Sequence, residues 1–126
     1  GARNFPFSRV DSDWDIDLPD GTEDGDYLGA LERALPDLFA RARPDLVCYL
    51  AGADPYRGDR LGRLALSPQG LAERDRMVMD ACRRRDAALV VTMAGGYAVP
   101  ITDTVTIQAE TVRLACEIFG AGPTNR

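Results

Sequence analysis

Two short apolar runs each end in small residues that lead straight to a side chain able to do chemistry. Residues 46–51, LVCYLA, run into Gly52, Ala53 and Asp54, and residues 88–94, ALVVTMA, run into Gly95, Gly96 and Tyr97. A carboxylate can ligate a cation or accept a proton, and a phenol can donate a hydrogen bond to developing negative charge. Each also has a plain structural reading: Asp54 stands before Pro55, a common turn arrangement, and the Tyr97 ring could simply cap a core. The paired glycines say more, because they allow close backbone approach and dihedrals closed to other residues. Asp59 follows five residues after Asp54, in RGDRLG, where the RGD tripeptide is discounted as a chance match.

Several chemistries are absent by residue type. The chain has no histidine, and all fifteen of its basic residues are arginine, so a Schiff base on lysine is excluded. Neither glycine loop has the spacing of a dinucleotide fingerprint or a phosphate loop. The acids at Asp11, Asp13, Asp15 and Asp17 alternate like a strand edge entering a turn at PDG, and a calcium loop fails because Ile16 stands where glycine is needed. Cys48, Cys82 and Cys116 are far apart, without a C-x-x-C pair, and read as buried free thiols in a reducing, cytoplasmic setting.

The elements that must position Asp54 and Tyr97 follow from periodicity. Tyr27, Leu28, Leu31, Ala34, Leu35 and Leu38 keep helical spacing over residues 24–39, with Pro36 interrupting that helix or starting a second. Both apolar runs lack alternation, which fits strands covered on both faces. Between them SPQG opens a helix, with Ser67 as cap and Pro68 in the first position, running to about Arg85. The three arginines at 83–85 suit the negative end of that helix. A last helix begins near Asp103 and places Val105, Ala109, Val112, Ala115, Cys116 and Phe119 on one face. Strand and helix in alternation imply a parallel α/β sheet, whose ligands gather at the carboxyl ends of the strands. Asp54 and Tyr97 should therefore open on the same side.

At 126 residues the chain suits one core, and with 45% apolar and 28% charged residues it has an ordinary globular composition. A net charge of -5 argues against a nucleic-acid partner. No apolar run approaches the roughly 20 residues that cross a bilayer, so neither a membrane partner nor a signal peptide is expected.

LAGADPYRGDRLGRLALSPQGLAERDRMV, followed by MAGGYAVPITDTVTIQAETVRLA, resembles the C-terminal part of the zinc-dependent histone deacetylase superfamily, especially its bacterial and class IV-like members. GARNFPF and DIDLPDGTEDGDYLGALERAL are similar to the segment just before it, so the likeness covers nearly the whole chain. It implies an arginase/deacetylase fold, a three-layer α/β sandwich with a mainly parallel sheet, of which residues 1–126 form a single partial domain. It implies that Asp54 is one of the zinc ligands, that Tyr97 hydrogen-bonds the substrate carbonyl as it becomes an oxyanion, and that Leu61, Gly95 and Gly96 shape the acyl channel, with Asp59 holding its own loop.

The substrate implied is an acetyl-lysine, an acetylpolyamine or another acylated amine, hydrolysed to a carboxylate and a free amine. The family also uses adjacent histidines for proton transfer and an Asp-x-His for its other zinc ligands, none of which is present here. The expectation is therefore the C-terminal portion of a longer protein, inert and weakly zinc-binding by itself, with uncovered sheet edges that invite self-association. A noncatalytic deacetylase-like binding module is the alternative.

Overall fold

The computed structural model describes residues 12–120. Five elements follow in chain order: α1 (Asp24–Ala42), β1 (Leu46–Ala51), α2 (Pro68–Arg84), β2 (Ala88–Met93) and α3 (Ile101–Phe119). The strands pair in parallel, from Leu46 opposite Ala88 to Ala51 opposite Met93. With α2 as the crossover between them, the unit is a βαβ turn followed by a further helix.

Capping fixes where α2 starts. The Ser67 hydroxyl accepts the Gly70 N–H at 2.9 Å, with Pro68 as the first helical residue. Asp24 reaches across to accept the Ser67 backbone N–H at 2.8 Å, joining the starts of α1 and α2. α1 is one helix through Pro36, where a break was expected. Proline removes one backbone bond and crowds the preceding turn. Here Leu35 and Phe39, on either side of it, pack against Ala81 and Cys82 of α2 and hold the helix in register. Arg43 then closes α1 in a left-handed conformation, its N–H donating to the Phe39 carbonyl at 3.0 Å.

The helices lie on one face of the sheet. Val47 and Leu89 pack against the Phe39, Ala81 and Cys82 cluster, and Leu89 and Val91 against Met79, Leu114 and Ile118. The other face carries Leu46, Cys48, Leu50, Val90 and Thr92, all exposed. The described residues thus supply a helix layer and a sheet, and the second covered face expected from the apolar runs is open. Among the described residues, strands suited to burial on both sides have a helix layer on only one.

Three further expectations change. The buried face of α3 is Thr104, Ile107, Thr111, Leu114 and Ile118, while Val105, Val112, Cys116 and Phe119 are exposed. The two threonines go inside because their hydroxyls are satisfied there: Thr104 accepts the Ala98 N–H at 3.2 Å and Thr111 donates to Asp75 at 2.6 Å. Cys82 is buried but Cys48 and Cys116 are exposed, each on an open apolar face. Residues 12–18 form no strand; Ser12 instead bonds Asp15 locally, and the chain turns at residues 19–22, where the Thr22 N–H donates to Pro19. Asp11 and the GARNFPF stretch lie outside the described residues.

Candidate functional site

Asp54 and Tyr97 leave the same end of the sheet because β1 and β2 are parallel and in register. Just beyond the strands, the Ala53 N–H donates to the Gly95 carbonyl at 2.6 Å and ties the two loops together. The half-buried Asp54 carboxylate sits in a cradle that glycine makes possible. A Cβ on Gly52 would meet its Oδ1 at 2.5 Å, and one on Gly95 would come within 3.0 Å of the same atom. The returning loop closes on the Asp54 backbone, where a Cβ on Gly62 would overlap the carbonyl oxygen at 1.8 Å. Among the described residues the Asp54 carboxylate accepts no hydrogen bond.

Asp59 spans the two loops. Its Oδ1 accepts the N–H groups of Leu61 and Gly62, each at 2.8 Å, and its Oδ2 accepts the N–H of Tyr97. The next residue holds the other side of the tyrosine backbone: the Arg60 N–H and Nε donate to the Tyr97 carbonyl at 3.4 and 3.3 Å. The Tyr97 side chain itself is 49% exposed. Among the described residues its hydroxyl has no hydrogen-bond partner. Leu61 is exposed on the neighbouring loop, and Gly96 lies so close to Thr104 and Ala53 that a Cβ would meet them at 2.5 and 3.1 Å. The loops that carry Asp54, Leu61, Gly95, Gly96 and Tyr97 thus meet at one end of the sheet.

Behind this rim lies a buried polar group that the sequence reading missed. Arg74 and Asp75 of α2 are only 4% and 1% exposed. Arg74 donates from Nη1 to the Gly52 carbonyl at 2.7 Å and from Nε to Asp75 Oδ1 at 2.9 Å. Asp75 also accepts from the Tyr49 hydroxyl at 2.5 Å and from Thr111 at 2.6 Å. Burial pushes the Tyr49 phenol well above its ordinary pKa; Arg74 opposes the shift, and Asp75 adds to it. The signal was present in the sequence, since Arg74 and Asp75 fall at helical spacing between Leu71 and Val78, both buried. The network anchors the carbonyl two residues before Asp54, and so fixes where the site loop begins. On the α1 side, Asp54 borders a cleft of ≈ 320 Å³ lined by Ile16, Leu18, Tyr27, Leu31 and Leu64.

Can these residues hold a metal? Among the described residues no three His, Cys, Asp or Glu side chains gather in a way that could hold one. Asp54 fits a single coordinating position, as a carboxylate in a shaped cradle with no hydrogen bond from those residues. A closed or catalytic zinc site needs at least three protein ligands.

The histone deacetylase domain model matches residues 8–112. An uncharacterized protein of Picosynechococcus is 40% identical over 92% of this chain and 39% of its own length. Histone deacetylase 2 of Arabidopsis thaliana is 38% identical over 74% of this chain, and the match covers 25% of that protein. Among solved structures, the HDA15 HD domain superposes with a TM-score of 0.62 at 27% identity, over 83% of this chain and 27% of the other. The chain therefore spans well under half the length of the relatives it matches. With the family's sequence over most of its length and its α/β arginase/deacetylase fold, the chain belongs to the histone deacetylase superfamily.

Proposed function

We propose that this chain forms one side of a zinc-dependent amidohydrolase site that releases a free amine and a carboxylate from an acylated amine such as acetyl-lysine, an acetylpolyamine or a smaller acylamine. Asp54 is a zinc ligand, Tyr97 is the donor to the substrate carbonyl oxygen, and Leu61, Gly95 and Gly96 wall the acyl channel. The observation that carries this reading is the Ala53 to Gly95 hydrogen bond, which sets the Asp54 cradle beside the loop of Tyr97. When bound, zinc polarises the amide carbonyl and makes water nucleophilic near neutral pH.

The chain's own residues do the rest of what falls to them. Asp54 contributes negative charge and an oxygen donor at one coordination position. Tyr97, whose hydroxyl has no partner among the described residues, donates its hydrogen bond to the carbonyl oxygen and stabilises the charge that grows there as the tetrahedral carbon forms. The leaving amine departs protonated, and this chain has no histidine to deliver that proton. In this reading the remaining ligands and the proton-transfer base come from outside these 126 residues, in a cytoplasmic protein with no nucleic-acid or membrane partner. By itself the 126-residue chain is inert and binds zinc weakly.

Zinc analysis of the purified chain tests this directly. Zinc well below one ion per chain, with no hydrolysis of acetyl-lysine peptides, is the expected result. One tightly bound zinc per 126-residue chain would overturn the half-site reading.

A further inference from the structure

We propose that Asp59, with Arg60 beside it, is the positioning residue for the Tyr97 phenol, and that through one carboxylate it couples the channel wall at Leu61 to the oxyanion donor. The inference rests on the assignment of Tyr97 under the proposed function and adds a residue to it. Near the site Asp59 was expected only to hold its own loop. The structure has it bonding to both loops: Oδ1 accepts from Leu61 and Gly62, and Oδ2 accepts from the Tyr97 N–H.

The Tyr97 side chain has no hydrogen bond among the described residues, so the phenol is aimed by its backbone. That backbone is gripped at both ends, the N–H by Asp59 and the carbonyl by Arg60 N–H and Nε. An isolated antiparallel bridge between Asp59 and Ala98 continues the grip one residue further. The flanking residues are tied elsewhere, Gly95 through its carbonyl to Ala53 and Ala98 through its N–H to Thr104, so the bonds to the tyrosine's own N–H and carbonyl are those from Asp59 and Arg60. A hydrogen-bond donor half an ångström out of place loses much of its effect on an oxyanion, whereas substrate binding elsewhere in the channel is little changed.

Asp59→Asn separates the two bonds. Its amide oxygen still accepts from Leu61 and Gly62, but its NH2 meets the Tyr97 N–H donor to donor. Asp59→Glu keeps the carboxylate one methylene further out and tests partial rescue. In the intact deacetylase, kcat and KM on an acetyl-lysine peptide are measured for Asp59→Asn, Asp59→Glu, Tyr97→Phe and the Asp59→Asn, Tyr97→Phe double variant.

Asp59→Asn is expected to lower kcat about 10- to 100-fold with KM held. Asp59→Glu should fall between it and wild type, and Asp59→Asn should cost nothing further once the phenol is gone. A full additional loss in the Tyr97→Phe background overturns the positioning role, because the carboxylate then acts on something other than the phenol. Unchanged turnover in Tyr97→Phe alone instead overturns the proposed function. Amide hydrogen exchange of the 126-residue chain gives an answer independent of activity: the Tyr97 N–H is protected in wild type and loses protection in Asp59→Asn. Equal protection in both sinks the proposal whatever the kinetics.

Discussion

Asp54 is held in place largely by residues that have no side chain. Gly52 and Gly95 leave the space its carboxylate occupies, and Gly62 lets the loop return onto its backbone. Gly52→Ala in the intact protein would put a methyl group 2.5 Å from Oδ1 and swing the carboxylate away. We expect zinc affinity to fall about 10- to 100-fold with the fold retained, as for other residues that orient a ligand. A zinc titration of the variant is the check, and unchanged affinity would remove Asp54 from the ligand set. At this scale the sequence was informative: an apolar run ending in small residues marks a strand mouth, and the first polar side chain beyond those small residues was Asp54 in one loop and Tyr97 in the other. The bond from Asp59 to Tyr97 was not legible, because it joins residues 38 apart whose meeting depends on the register of β1 with β2.

Elements were read well where local chemistry decides them and less well where packing does. Ser67 and Pro68 announce the start of α2, and the structure agrees. In α3, apolar residues surround much of the helix, and hydrogen bonding selects which face turns inward, so Thr104 and Thr111 are buried in place of Val105 and Val112. Pro36 looked like a break because its local cost is plain in the sequence and the packing of Leu35 and Phe39 is not. The Arg74 and Asp75 pair shows the same limit: it ties β1, α2 and α3 through Tyr49, Thr111 and the Gly52 carbonyl.

That network carries a pH prediction. Burial holds the Tyr49 phenol above its ordinary pKa of 10.0, so the folded state keeps a proton that the unfolded chain loses there. Its contribution is complete below pH 10 and declines as pH rises past it, once ionisation in the unfolded chain begins to compete. Urea unfolding at about pH 8 and about pH 11 should show a lower midpoint at the higher value, and less of a drop in Tyr49→Phe. A midpoint that stays level across that range would contradict the buried donor to Asp75.

On the scale of the whole molecule, the sheet has a helix layer on one face and exposed apolar side chains on the other, Leu50 being 67% and Val90 46% exposed. An apolar sheet face of this kind favours association. Sedimentation of the 126-residue chain should show mass rising with concentration, and Leu50→Glu together with Val90→Glu should shift it toward monomer; a monomer at every concentration would count against self-association. The open face was legible only in part, since unbroken apolar strands announce two buried faces but not which residues cover them. The central claim is that Asp54 and Tyr97 belong to one hydrolytic site, and kcat for Tyr97→Phe in the intact protein tests it most directly. A loss on the order of 100- to 1,000-fold with KM held is the result expected for a missing oxyanion donor, and turnover equal to wild type would contradict it.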